Sequence, residues 1–217
     1  MNPSPSARRR GVYLLTPDEA DTGRLLARVE PLLVEGPALL QYRNKAAGPA
    51  LRREQADALA RACAEAGVPL IVNDDWRLAL EIGAIGAHLG EHDGDLHQAR
   101  RDAPGLWLGA SCYDDMGRAR EAVAAGADYV AFGAFFPSGT KPGARRADPA
   151  LLRDSAALGC TRVAIGGITP DNAASLVTAG ADLLAVIGGV FDAPDPVAAL
   201  QAFRRAFEPN ITETTQP

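Results

Sequence analysis

Short apolar runs recur along the chain, separated by amphipathic stretches. The runs are GVYLLT (11–16), ALLQYR (38–43), PLIVND (69–74), IGAHLG (85–90), LWLGAS (106–111), DYVAFG (128–133), RVAIGG (162–167) and LLAVIG (183–188). Brief continuous apolar runs of this kind read as strands covered on both faces. Nearly all of them close on a polar residue or a glycine.

The stretches between them have helical spacing. In TPDEADTGRLLARVEPLL (16–33), Leu25, Leu26, Val29, Leu32 and Leu33 fall on one face. In LRREQADALARACAEAG (51–67), Leu51, Ala56, Leu59, Ala60 and Cys63 do the same, and Gly67 stops the helix. Segments 114–126 and 169–180 each end on a glycine. Thr169 suits an N-cap and Pro170 the first helical position. Residues 75–82 and 94–103 predict short helices, with Asp75 as the cap of the first.

Eight strands alternating with helices predict an α/β fold, a single (β/α)8 TIM barrel over residues 11–207. An open doubly wound sheet is the alternative. The barrel is preferred because its strand ends converge on one rim, so polar residues at all of them have a use. The polar ends, 1–10 and 208–217, read as disordered tails.

Composition narrows the class. The chain has 217 residues, 47% of them apolar, enough for one core and one domain. A net charge of −5 argues against a general nucleic-acid surface. No apolar run approaches the ~20 residues of a membrane helix. The apolar stretch near the N-terminus is too short for a secretory segment, which needs about 7–15 residues. Cys63, Cys112 and Cys160 are odd in number and lack a CxxC pair, so reduced thiols are expected. These features predict a cytoplasmic protein that engages neither membrane nor nucleic acid.

The strand ends carry the chemistry. Gln41, Arg43 and Lys45 alternate at the end of strand two and project together. Buried cations need a partner, and an anion fits. Strand three ends Asn73-Asp74-Asp75, and HLGEHDGD after strand four brings Asp93 to the same rim. Two carboxylates beside cations suit Mg2+ shared with phosphate oxygens, since magnesium takes hard oxygen ligands and few protein carboxylates. Zinc fits worse, because His88, His92 and His97 form no i, i+4 pair and neighbour no cysteine. His88, inside a strand, reads as a satisfied core residue.

Loop six, Phe136 to Arg145, offers Ser138, Gly139, Thr140 and Lys141. Strands seven and eight end in Gly167 and in Ile187 and Gly188, where backbone N–H groups can approach a phosphate. The rim therefore predicts two anion sites, for two phosphorylated substrates or for one substrate with phosphates at both ends.

QYRNK, VNDD, HLGEHD, GADYVAFGAFFPSGTKP, AIGGITPDNA and AGADLLAVIGGVF, in this order from Gly11 to Phe207, resemble the thiamine-phosphate synthase family. The resemblance implies a TIM-barrel transferase of thiamine biosynthesis that uses Mg2+. It would join hydroxymethylpyrimidine diphosphate to hydroxyethylthiazole phosphate, release pyrophosphate and form thiamine phosphate by dissociative displacement. It also implies roles. Gln41, Arg43, Lys45, Asn73 and Ser111 would bind the pyrimidine diphosphate. Asp74 and Asp93 would bind Mg2+. Ser138, Thr140 and Lys141 would hold the thiazole phosphate and pyrophosphate, and Gly167, Ile187 and Gly188 the thiazole phosphate. Arg43, Lys45, Ser111 and Lys141 would carry the catalytic burden, under a loop six that closes as a lid.

Three positions depart from the family pattern. Glu91 replaces a usual Gln and adds a charge near the metal. Gly139 loosens loop six, and Gly188 replaces a common Ser. A thiazole tautomerase on the same barrel, a phosphosugar isomerase and a non-catalytic ligand-sensing module are rival readings. The first two do not need the carboxylate pair, and the last would lose the cations. A homo-oligomer is compatible with the sequence, which does not specify one.

Overall fold

The computed structural model describes residues 9–137 and 145–208. Eight parallel strands close into a barrel in sequence order: β1 (Gly11–Leu15), β2 (Leu39–Tyr42), β3 (Leu70–Asn73), β4 (Gly86–Leu89), β5 (Trp107–Tyr113), β6 (Tyr129–Gly133), β7 (Thr161–Ile165) and β8 (Leu183–Val186). β8 pairs back onto β1, so no sheet edge is left open. The barrel is the predicted one, and each strand falls within a residue or two of its apolar run. β5 alone runs on, past Ser111 to Tyr113, with a register shift between those residues.

The connecting helices match the amphipathic segments. α1 (Thr22–Val34) starts later than its pattern suggests, because the Asp21 carboxylate accepts from Arg24 N and fixes the first turn there. α2 (Pro49–Ala66) ends on Gly67 in the left-handed conformation. α3 (Trp76–Glu81) is capped by Asp75, which accepts from Leu78 N at 2.9 Å, as the sequence implies. α4 (Leu96–Asp102), α5 (Met116–Ala124), α6 (Ala150–Asp154), α7 (Pro170–Thr178), α8 (Gly188–Phe191) and α9 (Pro196–Arg205) complete the ring. Thr169 and Asn172 form a reciprocal capping box at the start of α7. The pattern reading names no helix for α6, α8 or α9. α6 and α8 are too short to show a period. α9 carries its own start signal, since Asp195 accepts from Ala198 N and Pro196 opens the helix.

Two apolar layers follow from the strand alternation. Outward residues such as Leu14, Leu40 and Val72 pack against Leu25, Leu59 and Ala79 of the helices. Each fully buried leucine contributes roughly 1.5–3 kcal/mol. Inward residues fill the barrel: Tyr13, Leu15, Leu39, Ile71, Trp107, Tyr129, Val163 and Leu183. Gly109 is required here, because a side chain in its place would overlap the Tyr129 ring. The inward rows of β2, β3, β4 and β5 end in Arg43, Asn73, His88 and Ser111, which places polar groups above the apolar fill.

Candidate active site

A cavity of about 820 Å3 opens at the C-terminal ends of the strands. Arg43, His88, Ser111, Tyr113, Arg145, Gly167, Ile187, Gly188 and Asp192 are among its lining residues. Its position is the one a (β/α)8 barrel reserves for chemistry.

The loop after β2 is held rigidly. Thr16 Oγ1 donates to Arg43 O and Arg43 N donates to Thr16 Oγ1, both at 2.8 Å. Asp18 accepts from the Arg43 guanidinium at 3.2 Å and from Lys45 N at 2.9 Å. Asn44 points the other way, into the body, where it bonds Glu19 O and Gln55. Arg43 is thereby enclosed, while the side chain of Lys45 is half exposed.

Asp74 and Asp93 come together as the sequence suggests. Asp74 has left-handed backbone, with φ of 66°, and its N–H donates to His88 O at 2.8 Å. Asp93 is tied down by Gly90 N, which donates to its Oδ2 at 3.0 Å. Burial, together with the hydrogen bond to Asp93 and the charge of Asp93, pushes the Asp74 carboxyl up to about 6 against the pull of Lys45 and Arg43. Lys45 Nζ lies 3.9 Å from Asp74 Oδ2. Among the described residues no third acid, histidine or cysteine makes this a larger metal-ligating group. Two hard, mutually repelling oxygen donors fit Mg2+ that takes its remaining ligands from water and phosphate.

Across the cavity, Gly167 has φ of 64° and lies so close to the Phe136 and Pro137 carbonyls that a Cβ would collide with them. Ile187 and Gly188 lead into α8 beside it. A Cβ on Gly188 would sit 2.7 Å from Asp192 Oδ2, so a carboxylate occupies the space a serine side chain would need.

Gln41 and Asn73 face the barrel interior below the rim. Gln41 is buried and donates to the Tyr13 hydroxyl at 2.7 Å, and Asn73 pairs in register with His88. Ser138, Gly139, Thr140 and Lys141, with residues 138–144 of the predicted lid, lie outside the described residues. Glu91 does not leave a free charge near the carboxylate pair, because Arg118 bridges it at 3.1 Å. Cys112 is buried, its thiol pushed up to about 12 by burial, which suits no catalytic role. None of the three cysteines forms a disulfide.

Of the cavity residues, the sequence took His88 only as core and did not single out Arg145 or Tyr113. His88 is both a satisfied core residue and part of the wall: it contacts Tyr129 at 3.2 Å and Ser111 at 2.9 Å, and burial lowers it to about 4. Arg145 and Tyr113 meet face to cation at 5.4 Å. The HLGE run could have flagged His88, since it is inward-facing one turn of alternation below the rim; nothing local marks the other two.

Comparison with known proteins decides the family. The family model described as thiamine monophosphate synthase matches residues 12–190. The chain belongs to the thiamine monophosphate synthase family. It is similar to a thiamine-phosphate synthase of Xanthomonas campestris pv. campestris (strain 8004), with 60% identity over 200 residues, covering 91% of this chain and 96% of that one. A thiamine-phosphate synthase of Aromatoleum aromaticum is 55% identical over 206 residues, covering 94% of this chain and 99% of the other. Among solved structures, a thiamine phosphate pyrophosphorylase from Pyrococcus furiosus superposes with a TM-score of 0.82 at 31% identity, over 92% of this chain and 96% of that one. Thiamine-phosphate synthases are transferases acting on small molecules, and this chain is an enzyme of that kind. No helix among the described residues is long and apolar enough to cross a membrane.

Proposed function

We propose that this chain joins hydroxymethylpyrimidine diphosphate to hydroxyethylthiazole phosphate, forming thiamine phosphate and releasing pyrophosphate with Mg2+. The observation that carries it is the Asp74–Asp93 pair beside Lys45 and Arg43, with Arg43 lining the cavity that also takes in Gly167, Ile187 and Gly188. One side suits a diphosphate with its cation, the other a phosphate monoester.

Asp74 and Asp93 would hold Mg2+, which would neutralise charge on the departing diphosphate. Arg43 and Lys45 do the same work from the protein side. Asp18 holds the Arg43 guanidinium and the Lys45 backbone N–H, so Arg43 needs little reorganisation as the C–O bond breaks. The aminopyrimidine stabilises the positive carbon that results, and the thiazole nitrogen then attacks it. Asn73 and Ser111 would orient the pyrimidine. Backbone N–H groups at Gly167 and Gly188 would receive the thiazole phosphate, with Ser138, Thr140 and Lys141 assigned to the phosphates on sequence alone. No covalent nucleophile is needed, in keeping with the inert Cys112. Buried cysteines outside any disulfide also support a cytoplasmic site of action.

The test is direct. Purified full-length chain with both substrates and Mg2+ should yield thiamine phosphate and pyrophosphate in equal amounts, and lose turnover on chelation. Absence of thiamine phosphate with both substrates present would overturn the reading.

A further inference from the structure

A line of polar groups crosses the barrel interior beneath the cavity. Gln41 Nε2 donates to the Tyr13 hydroxyl at 2.7 Å. The Tyr13 and Tyr129 hydroxyls lie 3.0 Å apart. Tyr129 Oη is 3.2 Å from His88 Nδ1, and His88 Nε2 is 2.9 Å from Ser111 Oγ. Five side chains from β2, β1, β6, β4 and β5 thus form one chain, with Gln41 and Ser111 at its ends.

Proton counting gives this chain a direction. Tyr13 is 1% exposed, and its hydroxyl has one proton. It already accepts from Gln41, so that proton must go to Tyr129, since a buried unpaired O–H costs about 1–3 kcal/mol. Tyr129 is fully buried and passes its own proton to His88 Nδ1. His88 is then the Nε2–H tautomer and donates to Ser111 Oγ. Burial keeps this imidazole neutral by lowering it to about 4, and both tyrosines are raised and stay protonated. The Ser111 hydroxyl proton is left for the cavity that Ser111 lines. At the other end, no described residue donates to Gln41 Oε1. Among the described residues that oxygen is therefore left as the acceptor at the β2 end.

We propose that Tyr13 and Tyr129 are positioning residues that fix one hydrogen-bond direction from Gln41 to Ser111, so that the site presents an acceptor on the β2 side and a donor on the β5 side. The complementary ligand is a neutral heteroaromatic ring with an amino donor on one edge and a ring-nitrogen acceptor on another. Naming that ring as the aminopyrimidine rests on the proposed function; the direction of the chain does not. The reverse direction would present the opposite pattern at both ends and reject such a ring.

The experiment uses full-length chain labelled with 15N-histidine. Of three histidines, His92 and His97 are exposed and His88 is buried, and a His88→Gln variant assigns the His88 signals by their loss. Long-range 1H–15N spectra at neutral pH should show His88 as a single Nε2–H tautomer. An Nδ1–H tautomer would overturn the proposal, whether or not any variant folds. Tyr129→Phe should turn His88 into a mixture of tautomers. Tyr13→Phe and Tyr129→Phe should each raise KM for the pyrimidine diphosphate ~10-fold, the value of one lost hydrogen bond, and leave KM for the thiazole phosphate within about twofold. Equal rises in both KM values would mean a merely structural role and sink the idea. A wild-type protein that makes no thiamine phosphate yet shows Nε2–H His88 would refute the activity and leave the hydrogen-bond direction standing.

Discussion

Asp93, on the loop after β4, stands against Asp74, just past β3, and burial together with this neighbour pushes the Asp74 carboxyl up to about 6. Like charges brought this close work against folding unless a cation joins them. Asp74→Asn and Asp93→Asn should therefore leave the metal-free protein as stable as wild type, or more so. Both should cripple turnover, and both should lose the rise in Tm that Mg2+ gives wild type. Melting curves with and without Mg2+, read beside initial rates, check this. Near-normal turnover of either variant at low Mg2+ would remove the pair from the metal site.

Arg43 is held by Asp18 whether or not substrate is present. Removing the guanidinium should cost roughly 10²–10³ in rate on the diphosphate, by analogy with other preorganised electrostatic groups. Arg43→Ala and Lys45→Ala should melt close to wild type, because Thr16, Asp18 and Asn44 bind the loop through its backbone. A much lower Tm for Arg43→Ala with activity intact would make it a structural charge.

How far the sequence could be read depended on the range of each signal. Strand periodicity is local, so all eight strands and the barrel were legible in it. So was Asp75 as a cap, since its partner Leu78 is three residues away. Asp74, Asp93, Arg43 and Ser111 were legible because they lie near or just past the C-terminal ends of strands, and barrel topology brings those ends together. The Gln41–Tyr13–Tyr129–His88–Ser111 chain was not. Its members lie as far as 116 residues apart, and each alone reads as strand filling. Glu91, in the loop after β4, was read as an added charge, because its partner Arg118 lies 27 residues on in α5.

His88 gives a pH signature of stability. In the fold its pKa is lowered from 6.5 to about 4, mainly by burial. Between those values the unfolded chain binds a proton that the native protein refuses. Stability is therefore complete above about pH 6.5 and falls as pH drops toward 4, by on the order of 3 kcal/mol. His88→Gln should remove that portion of the slope. Denaturant midpoints of both proteins between pH 4 and 7 check the difference. Parallel curves would show that His88 is not held neutral.

Asp192 stands where an anion should arrive. Its Oδ2 lies 2.7 Å from the point a Cβ on Gly188 would occupy, and Asp192 lines the cavity with Gly167 and Ile187. Its side chain is 77% exposed, and Arg28 approaches it only to 3.9 Å, so its charge is poorly neutralised. A solvated carboxylate near a phosphate costs little, about 1 kcal/mol or less. Asp192→Asn should accordingly lower KM for the thiazole phosphate by ~2–5-fold and leave KM for the pyrimidine diphosphate alone. The gain should shrink at 1 M salt, where the screening length is about 3 Å. Gly188→Ser alone should gain less, because its Cβ must first displace the Asp192 carboxylate. Gly188→Ser combined with Asp192→Asn should exceed the sum of the single gains, since the hydroxyl then has both the space and the field to meet a phosphate oxygen. Steady-state KM values for the four proteins at low and high salt test each step. Strict additivity, or an Asp192→Asn effect that ignores salt, would mean that the carboxylate does not face the bound phosphate.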